Sequence, residues 1–212
     1  MGSGGPPTGH PWNYVLVPIK GSAAFVFSTP GGFVLSGTPL TASAADQPPI
    51  WWSTDGKTWT QATANNTTGP LGALVSATVT GTGTVYAISG SSDGMSQQLV
   101  ASGDGGHTWK LVKPSADSMP YAATITYIAS LTQDGKDGYL FATTAPADGA
   151  YVWISQDGGV TWTKVIDHTV GGPTGTILLQ LGSSYQAGPT DVLSMGERGS
   201  GLGIWLIAIS GP

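Results

Sequence analysis

Short apolar runs of strand length alternate with turn residues along the chain. Ile50-Trp51-Trp52, Leu99-Val100-Ala101 and Tyr151-Val152-Trp153-Ile154 each lead into a polar, Gly-containing turn. Each turn is followed by a short alternating segment: Thr58-Trp59-Thr60-Gln61, Trp109-Lys110-Leu111-Val112 and Trp162-Thr163-Lys164-Val165. Apolar and polar positions with a period of two over so few residues predict strands, and the intervening turns predict hairpins. In the turns, Asp-Gly or Asp-Gly-Gly supplies positions of positive φ. Asp55, Asp104 and Asp157 are placed to accept bonds from turn amides. Trp59, Trp109 and Trp162, at the exit of each turn, are expected to lock it by packing against their own sheet.

The turns are copies of one motif. Ser102 to Trp109 reads SGDGGHTW, Ser155 to Trp162 reads SQDGGVTW, and Ser53 to Trp59 reads STDGKTW, one residue shorter. These residues resemble the Asp-box, or bacterial neuraminidase repeat, Ser-x-Asp-x-Gly-x-Thr-Trp. The resemblance implies an all-β fold, a β-propeller of four-stranded antiparallel blades in which each box joins a blade's third and fourth strands. Ser53, Asp55, Trp59, Ser102, Asp104, Trp109, Ser155, Asp157 and Trp162 are then structural. The box marks a blade and names no reaction.

Spacing counts the blades. The boxes start 49 and 53 residues apart, and a similar step reaches Ser210, where Leu206 to Gly211 resembles the run entering the second box. Gly9 to Pro18 in turn resembles Gly106 to Pro114. The expectation is one domain over residues 1–212, four-bladed, with a fourth blade made from residues 176–210 plus 10–18. The N-terminal strand would close the ring and leave no blade edge unpaired at the seam. Residues 1–9 read as a flexible start or tag remnant. Innermost strands are expected at Ala24–Ser28, Ala73–Val79, Thr124–Ala129 and Thr176–Leu181, and second strands at Phe33–Gly37, Val85–Ser89, Tyr139–Thr143 and Asp191–Met195.

Composition narrows the partners. Charged residues are 9% of the chain, against about 25% in an average soluble domain. With 33 Gly and 15 Pro, long helices are disfavoured. Net charge is −5 with no basic stripe, which argues against nucleic acid. The absence of Cys removes disulfides and thiolate chemistry. No apolar run reaches the length of a membrane helix, so membrane insertion is not expected. An extracellular or secreted protein is expected, with any signal absent from this sequence.

Candidate chemistry is sparse. Sialidases of the resembled family use three Arg, a Tyr–Glu nucleophile pair and an Asp acid; this chain has one Arg, Arg198, and one Glu, Glu197. The arginine triad cannot be built. The connections between second and third strands carry Asp46, Asp93, Asp148 and Glu197, one acid per blade, on the side opposite the boxes. With Arg198 they are the candidate ligand contacts; the alternative is solvated acids. Two carboxylates about 5–10 Å apart would suit a glycosidase instead. His10 and His107 are equivalent box positions, His168 is isolated, and no metal spacing emerges. Trp51, Trp52, Trp153 and Trp205 lie on third strands, as sugar platforms or as packing between blades. Neither metal nor cofactor is expected. The reading is a non-catalytic binding or scaffold module for glycan or peptide; the alternatives are a glycosidase-like enzyme and an engineered or excised propeller fragment.

Overall fold

A computed structural model of the protein describes residues 21–39, 48–65, 71–91, 97–120, 125–133, 136–144, 150–168, 180–181, 185–186, 190–196 and 204–210. Every regular element among them is a strand, and among the described residues no helix is long and apolar enough to cross a membrane. Sheet 1 is an antiparallel meander of β1 (Gly21–Thr29), β2 (Gly32–Pro39), β3 (Ile50–Ser53) and β4 (Thr60–Gln61), in that spatial order. Just past β4 the chain crosses to sheet 2, where β5 (Thr63–Asn65) lies parallel to the strand Thr108–Leu111. The rest of sheet 2 is β6 (Leu71–Val79), β7 (Val85–Ser91), β8 (Gln97–Ser102) and β9 (Thr108–Leu111). Sheet 3 is β10 (Ile125–Gln133), β11 (Lys136–Thr144), β12 (Ala150–Ser155) and β13 (Thr163–His168). In the last group, β16 (Thr190–Gly196) pairs with β17 (Ile204–Ser210) and with the short β14 (Gln180–Leu181) and β15 (Tyr185–Gln186).

Each expected second strand lies within an observed one, and the inner strands of sheets 1 and 2 likewise contain their expected ranges. β10 runs four residues past its expected end at Ala129. Of the expected Thr176–Leu181 strand, only Gln180 and Leu181 are described. Residues 1–20 lie outside the described residues, and with them the expected closing strand at 10–18. The strands β1, β6 and β10, each at one edge of its sheet, share a feature with no sequence signal: a register shift in β1 at Ala23/Phe25, in β6 at Leu74/Ser76 and in β10 at Ile125/Tyr127. The residues passed over are Ala24, Val75 and Thr126, spaced at equal intervals, so the bulge belongs to the repeat.

The sheets stack face to face. One core joins Val34 and Ile50 of sheet 1 to Leu71, Leu74, Val85, Ala87, Val100 and Trp109 of sheet 2. A second joins Ile88 and Leu99 of sheet 2 to Ile128, Leu140, Ala142, Trp153 and Trp162 of sheet 3, with Met119 from the β9–β10 connection plugged into it. Side chains alternate across a strand. Leu35 and Trp51 therefore face away from sheet 2, yet are only 4% and 9% exposed. On sheet 3, Phe141 and Val152 face away from sheet 2 and are equally buried. Both end faces of the three-sheet stack are covered over their middles, although Phe33 of sheet 1, equivalent to the buried Val85 and Leu140, stays 41% exposed.

Candidate functional site

The best-defined chemical constellation is the β3–β4 turn and its two repeats. In the second, Asp104 Oδ1 accepts from the His107 and Thr108 amides at 3.1 and 2.9 Å and from Ser102 Oγ at 2.7 Å. Asp104 Oδ2 accepts from Thr108 Oγ1 at 2.6 Å. Ser102 Oγ in turn accepts from the Gly106 amide at 2.8 Å, and Trp109 Nε1 donates to the Gly106 carbonyl at 3.0 Å. Every polar atom that defines the motif has a partner inside the same turn. Asp157, Ser155, Thr161, Gly159 and Trp162 repeat the pattern in the third turn.

The first turn keeps this chemistry in one residue fewer. Asp55 Oδ1 accepts from Lys57 and Thr58 amides and from Ser53 Oγ, while Gly56 both donates to Ser53 Oγ and accepts from Trp59 Nε1. Gly56 thus does the work of Gly106 and Gly159, and the missing residue is the equivalent of Gly105 and Gly158.

That residue matters for docking. Gly105 abuts Thr29 and Gly31 of sheet 1, and Gly158 abuts Tyr86 of sheet 2. A Cβ on Gly106, at φ 100°, would collide with Val34 Cγ2 of sheet 1. The second and third turns therefore press onto the preceding sheet. The expected packing of each Trp on its own sheet is thus only part of its contact: Trp109 sits in the core shared with sheet 1, and Trp162 in that shared with sheet 2. Trp59, in the turn lacking the docking glycine, is only half-buried.

Donors set the carboxylate charge. Amides of Thr58 and Lys57 draw Asp55 down to about 2. For Asp104, partial burial pushes the carboxyl up, but the Thr108 hydroxyl and amide, the Ser102 hydroxyl and the charge of His107 outweigh it. At Asp157 burial likewise acts upward, and Thr161, Ser155 and Val160 bring the net shift down. Among the described residues no group of three His, Cys, Asp or Glu is placed to hold a metal ion.

Asp46, Asp93, Asp148, Glu197 and Arg198 lie outside the described residues. Their connections join β2 to β3, β7 to β8, β11 to β12 and β16 to β17. In sheets 1 to 3 such a connection leaves the end of the sheet opposite the Ser-x-Asp turn. At that end of sheet 2, Gln97 and Gln98 open β8, and their Oε1 atoms are buried without a hydrogen-bond partner. Sequence reading missed them because an amide on a strand carries no motif. The tryptophan platforms are not free: Trp51 and Trp153 are buried, Trp153 Nε1 donates to Thr144 Oγ1 at 2.9 Å, and Trp52 stacks on His107 at 3.6 Å between centroids. The side chain of Trp205 and all of His10 lie outside the described residues. The chain matches no protein-family model and no curated protein.

Proposed function

We propose that the four strand groups close into a four-bladed β-propeller of the Asp-box kind. We propose further that it serves as a non-catalytic binding or scaffold module, taking glycan or peptide at the end opposite the Ser-x-Asp turns. The carrying observation is the contrast between the two ends. At the turn end the motif's carboxylate, hydroxyl and indole groups are partnered within their own turns, so they are used up in structure. At the other end two buried amide oxygens, on Gln97 and Gln98, have no partner. Buried polar atoms are rarely left so, and an unpartnered acceptor calls for a water, an ion or the donor group of a ligand. By position in the sequence, Asp46, Asp93 and Asp148 fall on the connections that leave sheets 1 to 3 at that end, and Glu197 on the corresponding connection of the last group. Ring closure is supported by the buried outer faces at Leu35, Trp51, Phe141 and Val152, and by the contact of β10 with β14.

The test is a thermal-shift screen of glycans, peptides and Ca²⁺ against the wild type and an Asp93→Asn, Asp148→Asn double variant. A compound that raises the wild-type melting temperature and leaves the double variant unmoved supports the reading. A bound compound that protects the Ser-x-Asp turns instead overturns it, as does indifference of the wild type to all three classes. Closure is tested separately by deleting residues 1–18, which is expected to lower the melting temperature; no change refutes the ring.

A further inference from the structure

The two junctions between described sheets are fastened in different places. Between sheets 2 and 3 the inner strands are joined by hydroxyls. Ser76 Oγ on β6 accepts from the Ile128 amide of β10 at 3.2 Å and donates to the Ile128 carbonyl at 3.4 Å. Two residues on, the Ser130 amide donates to Thr78 Oγ1 at 3.0 Å, and Ser130 Oγ donates to the Val79 carbonyl at 3.1 Å. With the Ser130 proton so engaged, Thr78 is the donor of the 2.7 Å bond between the two hydroxyls. The rim of this junction is tied as well, by the Ser115 amide on the Val160 carbonyl at 2.8 Å.

Between sheets 1 and 2 the rim is tied, and among the described residues no hydrogen bond joins β1 directly to β6. At the rim, β5 pairs with β9, the Thr63 amide donates to the His107 carbonyl at 3.0 Å, and His107 stacks on Trp52. At the inner strands, Phe25 and Phe27 of β1 take the positions that Ser76 and Thr78 occupy one repeat later. These rings lie 5.4 Å apart and, like Ala77 and Val79 of β6, are only partly buried. β6 lies against β10 over more of its length than against β1. Each of these strands is instead tied to another part of the neighbouring sheet: the Leu74 amide of β6 donates to Ser36 Oγ of β2 at 2.7 Å, and Thr29 Oγ1 at the end of β1 donates to the Gly105 carbonyl at 3.4 Å.

We propose that the junction of sheets 1 and 2 is a hinge, fixed at its rim and opening at the inner strands, while sheets 2 and 3 move as one body. Opening breaks the Leu74–Ser36 and Thr29–Gly105 bonds and separates the apolar side chains Phe25, Phe27, Ala77 and Val79 that pack against the shared core. It leaves the Ser76–Ile128 and Thr78–Ser130 bonds intact. The hinge does not depend on the binding role proposed above.

Amide hydrogen exchange, resolved residue by residue by NMR on the full chain, tests it. Local openings release their own amides well before global unfolding does. The Leu74 amide is expected to exchange about tenfold or more faster than those of Ile128 and Ser130, which follow global unfolding. In a Ser76→Ala, Thr78→Val variant, Ile128 and Ser130 are expected to speed up toward the Leu74 rate while Leu74 keeps its own. Equal wild-type protection at all three amides overturns the hinge, and so does faster exchange at Ile128 and Ser130 than at Leu74. If the variant unfolds, the wild-type comparison decides alone.

Discussion

Replacing Asp104 with Ala removes the acceptor of four donors at once: two amides, the Ser102 hydroxyl and the Thr108 hydroxyl. A hydrogen bond to a charged group contributes about 1.5–3 kcal/mol net when buried. The donors here border solvent, so water recovers part of each loss. The summed cost is set at about 1–3 kcal/mol, mostly from amides left in a turn geometry that water cannot fully serve. For a chain of this size that is a fall in melting temperature of roughly 2–12 °C. The damage also reaches the neighbouring sheet, because the same turn holds Gly106 against Val34 and Trp109 in the shared core. Calorimetry of wild type, Asp104→Ala and Asp104→Asn is the assay. The Asn variant keeps one acceptor oxygen and should fall between the other two. An unchanged melting temperature in the Ala variant, with His107 and Thr108 amides exchanging at wild-type rates, would refute the reasoning.

Acid should unfold the protein through the same turns. All three carboxyls ionise below their ordinary values when folded, so their stabilisation is complete above about pH 4 and is lost as pH falls through the lowered values, about 2 for Asp55. Urea midpoints from pH 5 to 2 should decline, and Asn at positions 55, 104 and 157 should flatten that decline. Gly106→Ala should cost several kcal/mol, on the order of other strained or overpacked sites, while Gly103→Ala, with nothing within 4 Å of its Cβ, should be near neutral; denaturation curves separate them. Trp109→Ala should cost about 3–5 kcal/mol and the half-buried Trp59→Ala clearly less, by the same measurement.

The Ser-x-Asp turns were readable because their information is local: a Ser, an Asp and a Gly within five residues specify their own hydrogen bonds. The hairpin strands were readable from alternation for the same reason. Three features were not. The β5–β9 pairing is parallel and joins segments some 45 residues apart, so neither strand announces its partner. Met119 enters the second core from a connection whose sequence has no period. The docking of Gly106 on Val34 depends on how two sheets approach, which sequence near the turn does not encode. The acid-bearing connections could be placed between strands by counting, but their geometry lies outside the described residues.

The forward-to-backward docking of the turns gives the repeat a polarity. Each of the second and third sheets offers its turn to the sheet before it, and sheets 1 and 2 receive one, so a unit of sheet plus turn has a head that differs from its tail. Interfaces of that kind are heterologous: copies linked by them either close into a ring or grow without end. A fragment of two units, residues 71–168, would keep one head–tail junction inside and expose an unmatched head and tail at its edges. Its expected products are closed rings of a few copies, or filaments where the rotation misses closure. Light scattering across a concentration series would tell the two apart, and the number of copies in the ring would report the angle that each junction imposes.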